Sequence, residues 1–158
     1  MSGRTREDFL REAIRVASEN VGSGGGPFGA IVVRDGEVVA RGANRVTPSN
    51  DPTAHAEVEA IREACRVLGT FQLEGCEIYS SSEPCPMCLG AVYWARPEAV
   101  YYANGREVAL AAGFDDHHIY EEFLLPPADR RYPATRLEID GADEPFRRWA
   151  AKADRVEY

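Results

Sequence analysis

No run of about 18 consecutive apolar residues occurs in the chain, so the sequence offers no membrane-spanning helix. The opening stretch, Met1-Ser-Gly-Arg-Thr-Arg-Glu-Asp, lacks the apolar centre of a secretory signal, and a cytoplasmic protein is expected. Cysteine is scarce. The four cysteines in 158 residues read as reduced thiols rather than as a disulfide framework. Positive charge is in deficit too: 18 Lys and Arg against 26 Asp and Glu give a formal charge of −8. That balance disfavours a polyanionic partner, leaves room only for a local basic patch, and suits a small neutral substrate. Internal repeats and low-complexity segments are missing. The glycine run Ser23-Gly24-Gly25-Gly26-Pro27 lacks a Gly-Lys-Ser/Thr ending and feeds a strand rather than a helix, which argues against phosphate binding. What remains is ordinary globular composition, 44% hydrophobic and 28% charged, in a length suited to one domain with a proper core.

Residues 6–20 place Phe9, Leu10, Ala13, Ile14 and Ala17 on one face, which predicts an amphipathic helix ended by the glycine run. A strand follows at 29–33, and Asp35-Gly36 makes a tight turn into a second strand at 37–41. Asn50-Asp51-Pro52 supplies a cap and a first-turn proline for a second helix. Along it Val58, Ile61, Cys65 and Leu68 keep helical spacing, and Gly69 ends it. A strand at 76–80, a buried helix at 89–95, a strand at 98–103 and a helix or turn at 108–112 complete the order. Helices alternating with strands predict a layered α/β domain with helices on both faces of one central sheet. The tail differs. A proline-punctuated connector at 125–133 leads to a strand candidate at 135–139 and an amphipathic helix around 146–151. Such a connector is a hinge across which a terminal element can exchange between protomers.

Chemistry concentrates in Ser82-Glu83-Pro84-Cys85-Pro86-Met87-Cys88 and in Thr53-Ala54-His55-Ala56-Glu57. Two thiols three residues apart and one imidazole make the three protein ligands of a catalytic zinc site, whose fourth position is left to water. Each motif sits where a helix is expected to begin, and the positive end of a helix dipole favours thiolate. Pro86 suits a first helical turn. A bound zinc ion acidifies its water to hydroxide near neutral pH. Glu57 then becomes a proton carrier between that water and a ring nitrogen or departing amine, unless it is one more solvated charge beside Glu59 and Glu63. A closed structural site requires a fourth ligand, for which Cys65, Cys76, His117 and His118 are the candidates.

The pattern His-Ala-Glu followed by Pro-Cys-Pro-Met-Cys resembles the zinc deaminase signature of nucleobase deaminases. Pro27-Phe28-Gly29-Ala30 and Asn44 are similar to that superfamily as well, and this likeness spans roughly residues 6–110. It implies a three-layer α/β/α fold of the cytidine-deaminase type with a central mixed sheet, and hydrolytic removal of an exocyclic amine. The tail, with Ala112-Gly-Phe-Asp-Asp116, Ile119-Tyr120-Glu121, Pro127-Ala-Asp-Arg130 and Pro145-Phe146…Trp149…Glu157-Tyr158, resembles the small bacterial guanine deaminases. That resemblance implies conversion of guanine to xanthine and ammonia by a zinc-activated hydroxide. In its terms His55, Cys85 and Cys88 hold zinc, while Glu57 and Asp116 are acid/base groups. Phe28 stacks on the purine, Asn44 hydrogen-bonds it, and Tyr158 closes a neighbouring site in a homodimer. One domain over 1–158 is then expected, with about 134–158 exchanged between protomers.

For Asp116 the alternative is an N-cap of the segment 117–122, a role that Asp115 could take instead. For Tyr158 it is a frayed terminus. A transfer-RNA adenosine deaminase would share the zinc machinery, but it requires cationic phosphate contacts that Arg130-Arg131 and Arg147-Arg148 are too few to supply. Deaminases of cytosine, guanosine or triazines differ only in pocket shape. A non-catalytic zinc scaffold would have no use for Glu57.

Overall fold

The computed structural model describes residues 3–158. Of the amino-terminal stretch read above, Met1 and Ser2 lie outside the described residues. The chain divides into two compact units, the first running to Asp116 and the second from His117 to Tyr158.

In the first unit, α1 (Arg6–Gly22) starts at a capping box. The Asp8 N–H donates to the Thr5 hydroxyl at 3.2 Å, and the Thr5 N–H donates to the Asp8 carboxylate at 2.9 Å. Its buried face is Phe9, Ala13, Ala17 and Asn20, with Leu10 half-buried and Ile14 at the exposed rim. The strands β1 (Gly29–Arg34) and β2 (Glu37–Ala43) form the expected hairpin. Its turn uses Asp35 and Gly36 at φ 53° and 76°, the left-handed pair that matches the twist of the flanking strands. With β3 (Cys76–Ser82) and β4 (Ala99–Asn104) they make one sheet in the order β2-β1-β3-β4. It is mixed: β1 is antiparallel to β2 and to β3, while β3 and β4 run parallel.

Helices cover both faces, as the alternation predicted. On one face Phe9 of α1 meets Ile31, Val33 and Tyr79, and Tyr79 stacks on Tyr101 with ring centroids 5.1 Å apart. The opposite face holds the larger core, where Ala56, Ala60 and Ala64 of α3 (Ala56–Leu68) and Val92 and Ala95 of α4 (Pro86–Ala95) pack on Ala30, Val32 and Ile78. The small residues of α3 let it lie close to the sheet. At Gly42 the approach is backbone to backbone: a Cβ there would sit 2.2 Å from the Ala56 carbonyl and 2.3 Å from the Ala60 nitrogen.

Three expectations need correction. The second helix does not begin at Asn50-Asp51-Pro52. A short helix, α2 (Val46–Ser49), intervenes, and Asn50 closes it in the left-handed conformation at φ 50°. Asp51 instead accepts from the Thr53 N–H and hydroxyl in an Asx turn, so α3 starts later, with His55 as its cap and Gly69 ending it as expected. The helix read as buried at 89–95 is α4, and only one side of it is buried; Tyr93 and Trp94 are 76% and 64% exposed.

The third correction concerns the tail. The second unit contains α6 (His117–Leu124), a 3-10 turn at Pro127–Asp129 and α7 (Glu144–Ala151). The strand expected at 135–139 is not formed. All four strands of the sheet belong to the first unit, and the exposed segment 135–139 has no ladder partner, so its backbone donors and acceptors are left to water. The amphipathic helix does form and carries Arg147–Glu144 and Arg148–Glu144 ion pairs at 2.7 and 2.8 Å. Between α4 and α6 the first unit ends with α5 (Arg106–Ala111), the helix or turn expected near 108–112.

Gly42→Ala tests the close docking of α3. Because the new methyl meets main chain that cannot rotate away, the substitution is expected to cost about 3 kcal/mol of stability, read as a lower urea midpoint at unchanged slope.

Candidate active site

Three strand ends meet at one edge of the sheet. Phe28 precedes β1, Asn44 follows β2, and Pro84-Cys85 follows β3. The N-termini of α3 and α4 begin at the same edge, capped by His55 and Cys85. Pro86 occupies the first turn of α4, where a missing N–H costs nothing, and the Cys88 N–H donates to Cys85 Sγ at 3.5 Å.

The three ligand candidates converge. The donor atoms of His55, Cys85 and Cys88 lie within 4.8 Å of one another, and each sulfur is 3.5 Å from His55 Nδ1. Zn–S and Zn–N bonds of about 2.3 and 2.0 Å meeting at the tetrahedral angle place sulfur and nitrogen about 3.5 Å apart, so the spacing fits zinc. The charge pattern fits as well. Hydrogen bonds from Cys88 first, and also from His55, hold the Cys85 thiol down to about 4. Cys88 is pushed up, by its hydrogen bond to Cys85 and by burial. The hydrogen bond to Cys85 raises His55. The two thiols are pushed in opposite directions by sharing one proton, and a dication in place of that proton would sustain both as thiolates. Among the described residues no fourth ligand joins this group. Cys65 packs beside the α3 core, Cys76 is buried at the start of β3, and His117 and His118 belong to the second unit.

Glu57 is set apart from its neighbours on α3. Glu59 and Glu63 form ion pairs with Arg62 and Arg66, whereas Glu57 is only 6% exposed and faces the ligand set. Its Oε2 accepts from the Cys88 thiol at 3.3 Å, and its Oε1 accepts from the Ser80 hydroxyl at 2.9 Å. Burial raises its carboxyl above the ordinary range, with the hydrogen bond from Ser80 among the opposing effects. A carboxyl so placed can hold a proton and give it back.

Phe28 and Asn44 are tied together: the Asn44 N–H donates to the Phe28 carbonyl at 3.1 Å. Asn44 is buried, and its Oδ1 accepts from the Val46 N–H. Phe114 meets Phe28 edge-on at 4.9 Å, which brings the segment two residues before Asp116 to the same place. Asp116 is half-buried where Asp115 is exposed. Tyr158 ends the second unit and is exposed.

Residues beyond the expected set complete the site. Asn20, at the end of α1, donates to the carbonyls of Gly26 and Asn44, both at 2.8 Å. Only a glycine fits at position 25, since a Cβ there would lie 2.4 Å from the Asn44 carbonyl. A buried asparagine inside an apolar helix face was the available signal for Asn20. For Ser80 it was a run of three serines, Ser80-Ser81-Ser82, closing the strand that begins Cys76-Glu-Ile-Tyr.

A groove of about 420 Å³ runs along β2 and α3, lined by Arg41, Arg45, Arg62 and Arg66 together with Glu59 and Glu63. It is the local basic patch for which the overall charge left room. Three of its four arginines are paired with carboxylates: Arg41 with Glu12, Arg62 with Asp51 and Glu59, and Arg66 with Glu63.

A family model described as the cytidine and deoxycytidylate deaminase zinc-binding region matches residues 4–104. The chain is 53% identical to a guanine deaminase of Bacillus subtilis (strain 168) over 153 residues, 96% of this chain and 98% of that protein. A crystal structure of guanine deaminase from Bacillus subtilis superposes with a TM-score of 0.96 at 52% identity, covering 98% of this chain and 99% of that one. Similarity to a tRNA-specific adenosine deaminase of Aquifex aeolicus (strain VF5) is 47% over 98 residues, 62% of this chain and 65% of the relative. A structure solved in complex with 2,6-diaminopurine has a TM-score of 0.69 at 34% identity, covering 71% of this chain and 63% of that one.

Metal analysis of purified protein is expected to give about one zinc per chain, falling towards zero in Cys88→Ala. Since the Cys88 proton must leave, zinc affinity should weaken as pH falls, read by competition with a chromogenic chelator.

Proposed function

Because the chain belongs to the cytidine and deoxycytidylate deaminase family of zinc-binding enzymes, we propose that it hydrolyses guanine to xanthine and ammonia. The observation that carries this reading is the length of the likeness. Identity to a guanine deaminase runs through 96% of the chain, tail included, whereas the transfer-RNA deaminase match spans 62% of it. The ion-paired arginines of the β2–α3 groove also speak against phosphate contacts, and a small nucleobase rather than nucleic acid is the proposed substrate.

His55, Cys85 and Cys88 hold the zinc, which when bound supplies Lewis acidity and an acidified water. Glu57 takes a proton from the attacking water and returns it to a ring nitrogen of the base. Asp116 takes the second proton of that water and delivers it to the departing amine, so water and guanine become xanthine and ammonia with both water protons placed. Phe28 stacks on the purine, its ring braced by Phe114, and Asn44 hydrogen-bonds the purine edge.

The reading extends to a cytoplasmic homodimer in which about 134–158 is exchanged and Tyr158 closes the partner's site. Unpaired thiols at Cys65 and Cys76 support a reducing compartment, and the exposed Tyr93 and Trp94 of α4 support a partner surface. No described helix is long and apolar enough to cross a membrane.

Two measurements check this. Ammonia release should be found with guanine in a panel that includes guanosine, cytosine, adenine and triazines. Release from cytosine or a nucleoside alone would displace guanine. Glu57→Gln is expected to lower turnover by about a thousand-fold while zinc stays bound. Retained turnover would remove Glu57 from the proton path.

A further inference from the structure

The two oxygens of the Glu57 carboxylate have different surroundings. Oε2 lies against Cys88 and faces the ligand set, while Oε1 points at β3 and accepts from the Ser80 hydroxyl. Ser80 is 2% exposed. It pairs with Ala30 on one side and Tyr102 on the other, so its backbone is held by the ladders of both neighbouring strands. Ile78, two residues earlier on the same face, belongs to the core under α3. The hydroxyl therefore projects from an interior strand of the sheet towards a carboxylate at the start of the helix packed above it.

From this geometry we propose that Ser80 is a positioning residue: it pins Oε1 of Glu57 to the sheet and so reserves Oε2 for proton transfer. The proposal deepens the role given to Glu57 above and rests on that reading. A glutamate side chain with a free terminal torsion presents either oxygen in many orientations, and proton transfer needs one oxygen within hydrogen-bond reach of the reacting group. One fixed bond removes that freedom. A hydroxyl is also suited to a partner that gains and loses a proton. With the proton carried on Oε2, Oε1 remains an acceptor, so the hydroxyl donates to the carboxylate and to the carboxylic acid alike and the bond persists through both halves of the cycle. An alanine could fill the position but has no proton to donate.

The test compares Ser80→Ala with Ser80→Thr. The alanine variant is expected to lower kcat about 10- to 100-fold, the range for losing a hydrogen bond to a charged group, with KM and zinc content nearly unchanged. The threonine variant, which restores the hydroxyl, should recover most of the rate. An alanine variant with unaltered kcat, or one matched in its loss by the threonine variant, overturns the proposal.

A second readout is independent of activity. In the protein as purified with its zinc, Ser80→Ala should lower Tm in the wild-type background and have little effect once Glu57→Ala is present, the signature of a coupled pair. Equal shifts in both backgrounds overturn the proposal as well. If the unmodified enzyme releases no ammonia from guanine, the functional reading fails, and this thermal coupling alone decides whether Ser80 holds Glu57.

Discussion

The architecture depends on two helices beginning at the same place. α3 and α4 are separate in sequence, yet their first turns face each other across the end of the sheet, and every candidate zinc ligand lies in or beside those turns. Convergence of this kind needs the helices held close to the strands. Gly42 and the alanines of α3 provide it by letting main chain touch main chain. The helix dipoles then add positive potential where Cys85 must ionise, so packing and electrostatics serve the same atoms.

Much of this was legible before any coordinates. The thiol pair could be read because its spacing is local, with Cys85 and Cys88 one turn apart and Pro86 marking where that turn starts, and His55, 30 residues upstream, could be read from its own His-Ala-Glu motif. Strands β1 to β4 were recognisable from apolar runs bounded by turn residues. The start of α3 was not, because Asn50, Asp51 and Pro52 serve helix caps and tight turns equally well. Only the placement of α2 decides which. The exposed side of α4 escaped for a related reason. A wholly apolar ten-residue helix has no polar stripe to reveal its outward face.

The tail misled for the opposite cause. Alternation at 135–139 satisfies a strand pattern locally, but a strand exists only through a neighbour. Within the site, Ser80 and Asn20 left only a compositional signal, and the sequence did not reveal their partners. Each acts across 23 or 24 residues of sequence, through a register that no short window contains. Contacts within a turn of a motif can be read directly, whereas those set by sheet register must be seen.

One separation runs through the site. The candidate zinc ligands and Glu57 sit at helix starts locked to the sheet, while Phe28 and Asn44, the residues proposed to hold the ring, sit in connecting segments at its margin. Evolution can therefore rework which ring is recognised without touching the machinery that breaks the carbon–nitrogen bond. Laboratory retargeting should follow the same division, with diversity directed to the marginal segments and the helix starts left as they are. The partial likeness to a transfer-RNA enzyme, confined to about 98 residues, is what a common engine with exchangeable recognition would leave behind.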